Sequence, residues 1–251
     1  MKISNNYIPV PVKGKRILIT DGTTGIGRAM AILLASQGAR IMIFGRHQRS
    51  IDKTMMAIGD LETETECFSM LADVANKKDL DRIFYMVDCM FGGLDILINN
   101  FHTPFESKME GTYEEWQYII NNNLLGYIAC CNEAIKRMKS HQRGHIVNIG
   151  PIDADVQAKG NAVYVAAMAG IRGFNKHIRK EVNEHGLKVS LIDPGIVDSD
   201  MIMDGDVKLR KKMAAMEILK ADDIAMTVMH CLSQPHTAIS LPDNQSSVQS
   251  V

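Results

Sequence analysis

The stretch from Thr20 to Gly27 reads TDGTTGIG and closes an apolar run, Arg16 to Thr20 (RILIT). Where a strand turns into a helix, glycines let backbone approach a pyrophosphate while the first helical N–H groups point at its charge. Gly22, Gly25 and Gly27 stand where that chemistry needs them, with Thr20 before them and Thr24 and Ile26 between them. The same letters also suit a plain turn, so context has to decide. Metal chemistry has less footing. His177, His185 and His230 show no ligand spacing with one another. The cysteines, Cys67, Cys89, Cys130, Cys131 and Cys231, include no C-x-x-C pair, so neither a metal site nor a disulfide framework is expected.

A phosphate cradle needs a sheet beneath it. Short apolar or β-branched runs recur at Arg16 to Thr20, Arg40 to Phe44, Glu66 to Leu71, Asp95 to Asn99, His145 to Ile149 and Lys188 to Asp193. Several are apolar at nearly every residue, as parallel strands buried on both faces must be. Between them the helical period predicts Ile26 to Gln37, closed by Gly38, then Arg49 to Gly59, Lys77 to Phe91, Tyr113 to Met138 and Ala162 to Glu184. Thr112 with Glu115 reads as a capping box, and Asn76 with Asp79 as a weaker version. The alternation predicts an α/β fold: a Rossmann-like, doubly wound parallel sheet with helices on both faces, in three layers. Repeats, low-complexity tracts and linkers are missing, which predicts a single domain over residues 1–251 with flexible ends at 1–13 and 242–251.

The charge balance excludes some partners. With 28 Lys and Arg against 29 Asp and Glu, no excess positive field is available for nucleic acid or an anionic membrane. The opening MKISNNYIPVPVKGK lacks an apolar core region, and nowhere do about 18 apolar residues run together. A cytoplasmic protein is expected.

Taken in order, TDGTTGIG, Asp73-Val74, Asn99-Asn100, Asn123, Tyr164 and Pro194-Gly195 make the chain similar to the short-chain dehydrogenase/reductase family from Gly14 to about Leu241. That family carries T-G-x-x-x-G-x-G, an Asp-Val adenine contact, N-N-A-G, a helix Asn, Y-x-x-x-K and a P-G turn at those places. The resemblance implies a dinucleotide across the carboxyl ends of the strands. It assigns cofactor contacts to the glycine turn, to Asp73, Val74 and Asn100, to Pro194, Gly195 and Ile196, and to Ser199 near the nicotinamide carboxamide. Where an NAD enzyme puts a carboxylate after the second strand, Phe44 is followed by Gly45 and Arg46. NADP is therefore favoured over NAD, with Arg46, helped by Arg49, pairing with the 2′-phosphate; solvated arginines are the other reading.

The catalytic set departs from the family. Tyr164 and Asn123 remain, but the lysine four residues after the tyrosine is Met168, and the serine thirteen residues before it is Pro151. A nearby opposite charge moves a pKa by about 1 to 3 units, so without the lysine the phenol keeps its proton at neutral pH. Carbonyl reduction, which needs an acid, suffers less than alcohol oxidation, which needs a base. Asp21 stands for the first glycine of the turn, and Phe101-His102 for the family's Ala-Gly. The pair either fills the ribose space, with His102 as replacement acid or base, or lies on a drifted surface loop. Asp153 and Asp155 precede Tyr164, and methionines crowd Met201 to Met216, where the family has its substrate lid. The expected function is NADP(H)-dependent reduction of a carbonyl on a small molecule, with weakened catalysis. The alternatives are an inactive partner of an active relative, a ligand-binding subunit, or a non-redox enzyme reusing the cleft. A homo-oligomer, dimer or tetramer, is expected through the two long helices.

Overall fold

The computed structural model describes residues 10–101, 103, 110–150, 162–194, 197–198 and 219–235. All six apolar runs form strands: β1 (Arg16–Ile19), β2 (Arg40–Gly45), β3 (Cys67–Leu71), β4 (Ile96–Asn99), β5 (Gly144–Ile149) and β6 (Leu187–Ile192). They make one sheet in the order β3-β2-β1-β4-β5-β6, every pair parallel. Side chains alternate between its faces because the strand period is two. Ile17, Ile19, Ile41, Ile43, Ile96 and Ile98 enter one buried cluster, while Leu18, Met42, Phe44 and Leu97 enter another. Near-continuous hydrophobicity is thus what two cores require.

The first cluster is covered by α1 (Gly25–Ser36) and α2 (Gln48–Gly59) and by a later helix, Ala221–Ser233. The second is covered by α3 (Lys77–Phe91), α4 (Tyr113–Ile120), α5 (Gly126–Lys139) and α6 (Ala162–Asn183). The helix Ala221–Ser233, here α7, escaped the periodicity reading, although Ile224, Ala225, Val228 and Leu232 are its buried stripe. Two short strands, β7 (Val197–Asp198) and β8 (Leu219–Lys220), pair with each other outside the main sheet. Among the described residues, no helix is long and apolar enough to cross a membrane.

Local signals behave as their chemistry dictates. Gly38 follows α1 at φ 77°, a conformation glycine adopts without a Cβ penalty. Thr112 and Glu115 exchange both bonds of the capping box, at 3.2 and 2.8 Å. Asn76 caps α3 by accepting from the Lys78 N–H, whereas Asp79 turns instead to the Asp73 N–H. The expected single helix from Tyr113 to Met138 is interrupted by a π-helical segment, Asn121–Leu125. That widened turn falls on three consecutive asparagines, whose side chains compete with the helix for hydrogen bonds.

Candidate functional site

The sheet order reverses between β1 and β4, and the glycine turn lies at the carboxyl end of β1, where such sheets bind ligands. Asp21 takes φ 47° and Gly25 φ 46°, so the aspartate fills a left-handed position that it tolerates. A Cβ on Gly27 would lie 2.1 Å from the Asp21 carbonyl oxygen, and one on Gly22 would lie 2.6 Å from Ile43 Cγ2. Both glycines are therefore demanded by packing of the turn itself. Thr24, the N-cap of α1, is extended and makes no side-chain cap, and no acid occupies the first turn. The N–H groups at a helix start favour an anion.

Thr20 closes the turn from below. It is fully buried, and its hydroxyl accepts from the N–H groups of Asn100 at 2.8 Å and Phe101 at 3.3 Å. It joins the ends of β1 and β4. Asn100 is buried and reaches back to the Asp21 carbonyl at 3.4 Å. Deeper, Asn99 donates to Asn148 at 2.8 Å, and Asn148 to Asn175 at 2.8 Å. This buried amide ladder fixes the ends of β4 and β5 against α6. Beside it, burial pushes the Cys131 thiol up to about 12, against the bonds from Asn148 and Asn99.

Beyond β2 and β3 lies a narrow cleft, lined in part by Asp21, Arg46, Asp73, Val74, Phe101 and Asn122. Arg46 does not stand free. It donates to the Tyr118 hydroxyl at 3.0 Å and to Thr103 Oγ1 at 3.4 Å. Tyr118 in turn donates to Asp73 Oδ2 at 3.0 Å. Burial works against the Arg46 charge, but Tyr118, Asp21 and Asp73 outweigh it and hold the guanidinium above its ordinary value.

Asn123 is fully buried in the π segment. Its amide grips Thr103 twice: Oδ1 accepts from the Thr103 N–H at 2.6 Å, and Nδ2 donates to the Thr103 carbonyl at 2.9 Å. Asn122 adds a bond to Thr103 Oγ1 at 2.7 Å. The loop after β4 is thus clamped to the helical break, and through it to Arg46.

Tyr164 and Met168, one turn apart on α6, are 3% and 2% exposed and share the cluster that holds Phe101 and Tyr127. Burial, and next to it the Tyr164 phenol, push Tyr127 well above its ordinary range. Tyr127 donates to the Ile149 carbonyl at 2.8 Å. At 4% exposure Phe101 is not a surface side chain, and it also lines the cleft. Its ring lies against Tyr127, with centroids 4.6 Å apart, where Gly126 leaves room for it. Pro194 is buried after β6. Among the other sequence candidates, His102, Pro151, Asp153, Asp155, Gly195, Ile196, Ser199 and the stretch Met201 to Met216 lie outside the described residues.

Sequence reasoning missed Tyr118, Thr103 and Asn122, since no motif marks them. It also missed Asp193, which pairs with Arg172 at 3.1 Å after β6. A Cβ at Gly150 would collide with that carboxylate, so glycine there is a steric signal visible only in three dimensions.

A six-stranded parallel sheet in this order, with a glycine turn and cleft at its switch point, defines a dinucleotide-binding α/β fold. The family model for short chain dehydrogenase matches residues 15–208, and the chain belongs to that family. An uncharacterized oxidoreductase of Staphylococcus epidermidis is 32% identical over 225 residues, covering 89% of this chain and 93% of its own. One from Staphylococcus aureus is 29% identical over 222 residues, covering 88% and 92%. Among solved structures, a short chain dehydrogenase from Burkholderia cenocepacia in complex with NADP superposes at TM-score 0.80 with 26% identity, covering 92% and 95%. A metagenomic short-chain oxidoreductase in complex with NADP gives TM-score 0.77 at 23% identity, covering 92% and 96%.

Proposed function

We propose that the chain is an NADP(H)-dependent reductase acting on a carbonyl of a small molecule, with slow turnover. The observation that carries this reading is Arg46 at the edge of the cleft behind β2, where an NAD-binding site would have a carboxylate. The residues at this end fit the group: the glycine turn and start of α1 suit the pyrophosphate, Arg46 the 2′-phosphate and Asp73 the adenine amine. Both solved relatives named above were described with NADP, which supports the same choice.

Bound NADPH would supply a hydride. The chain's own part is to orient a carbonyl and give it a proton. Tyr164 is the donor, and Asn123 holds Thr103 and the loop beside the site. Hydroxyl and ammonium support for the developing oxyanion is lost with Pro151 and Met168, and each such group is worth roughly a hundredfold in rate. The burial of both Tyr164 and Met168 in one apolar cluster favours a second reading, a nucleotide-binding subunit without turnover. The exposed Leu125, 52% accessible between α4 and α5, supports assembly through these helices, with itself or with an active relative. Titration with NADPH followed by a panel of aldehydes and ketones separates the readings. Binding with Tyr164-dependent turnover supports the reductase, binding without turnover supports the second reading, and no binding contradicts both.

A further inference from the structure

One side chain satisfies, from inside the chain, both groups that the reading above assigns to adenosine. Asp73 Oδ1 already accepts from the Ala75 N–H at 2.9 Å, which leaves Oδ2 for a ligand. Tyr118 occupies that oxygen at 3.0 Å. Arg46 has only donors, and the phenol oxygen accepts one of them at 3.0 Å. The polarity of the chain Arg46, Tyr118, Asp73 is therefore fixed: the phenol accepts from the cation and donates to the carboxylate. Burial raises the Tyr118 pKa, Arg46 works against it and Asp73 reinforces it, so the proton stays in place. The hydroxyl hydrogen does for Asp73 what an adenine amine would do, and the hydroxyl oxygen does for Arg46 what a phosphate oxygen would do.

The arrangement is built rather than incidental. Tyr118 comes from α4, Asp73 follows β3 and Arg46 follows β2, so three segments distant in sequence converge on one phenol. Thr103, clamped by Asn122 and Asn123, gives Arg46 its other acceptor. Arg46 and Asp73 both line the cleft.

We propose that Tyr118 is a resident competitor for the adenosine subsite, a selectivity residue that a 2′-phosphorylated adenosine nucleotide must displace to bind. This rests on the nucleotide reading of the cleft. A ligand that brings both an amine and an anion replaces both of the phenol's bonds, whereas one bringing neither leaves the phenol where it is. No covalent step is involved.

The test uses adenosine fragments, so the nicotinamide end and turnover play no part. 2′,5′-ADP is titrated by calorimetry into the full-length protein and into Tyr118→Phe at pH 7, after thermal melting shows that the variant is folded. Removing the phenol's two hydrogen bonds from the empty state should tighten binding of 2′,5′-ADP about fivefold or more. Measurable binding by the variant alone supports the proposal equally. Tyr118→Leu repeats the test if the phenylalanine variant does not fold. Unchanged or weaker binding by a folded variant overturns the competitor role and leaves the nucleotide reading standing. No binding by wild type or by either variant overturns both.

Discussion

The Phe101 ring lies tilted against Tyr127, 4.6 Å between centroids. The bulk that replaces a small residue after Asn99-Asn100 is absorbed by the core. Gly126, whose missing Cβ would sit 3.0 Å from the Phe101 ring, makes the space.

Phe101 is therefore a stability residue first. Phe101→Ala should cost about 3 kcal/mol, the lower end for removing a buried phenyl ring, read as a fall in Tm or denaturant midpoint. A variant that is as stable as wild type and binds nucleotide better would show that the ring obstructs the site.

The Arg16–Asp95 pair ties the start of β1 to the residue before β4 through side-chain bonds of 2.9 Å on both carboxylate oxygens. Burial raises the Asp95 pKa, but the Arg16 bonds dominate and hold it below the ordinary carboxylate value. Because the folded value is depressed, the stabilisation is present above the unfolded pKa of about 3.9. It fades as pH falls below that through the folded value. Asp95→Asn should cost roughly 2 kcal/mol at pH 7 and less near pH 3, measured by urea unfolding at the two values.

Much of the fold could be read in the chain before the structure, and little of the cleft's wiring. All six strands followed from apolar runs, most plainly β1, β2 and β4, whose burial on both faces leaves no room for polar alternation, while the edge strands β3 and β6 are only partly buried. The glycine turn was legible because its geometry forbids side chains at Gly22 and Gly27. The break at Asn121 to Leu125 was not, because a π turn shifts register without altering which residues are apolar. Arg46 was found by position, but its engagement with Tyr118, 72 residues on, depends on how α4 crosses the sheet. No local pattern encodes that.

The thiols offer a check on the packing. Cys89 is exposed, whereas Cys130, Cys131 and Cys231 are buried. Burial also pushes Cys67 to about 12, as it does Cys131. A native protein treated with a thiolate-selective alkylating agent at pH 7 should be modified at Cys89 first, with the others following only on unfolding. Rapid native labelling of Cys131, read by peptide mass spectrometry, would contradict the buried ladder of Asn99, Asn148 and Asn175.

Restoring the missing groups should restore rate. The double change Pro151→Ser with Met168→Lys should raise NADPH-dependent carbonyl reduction at least about tenfold, since each group is worth roughly a hundredfold where its placement is good. It should also lower Tm, because position 168 is buried among apolar side chains. No gain in rate while NADPH still binds would mean that the slow step lies elsewhere than in these two positions.

NADP preference requires that Arg46 meet a ribose phosphate. Calorimetric titration of NADPH and NADH into wild type and Arg46→Ala is the direct measurement. The prediction is tighter NADPH than NADH binding to wild type, and a loss of about tenfold for NADPH alone in the variant. Equal affinity for the two nucleotides in wild type, or no binding of either, would contradict it.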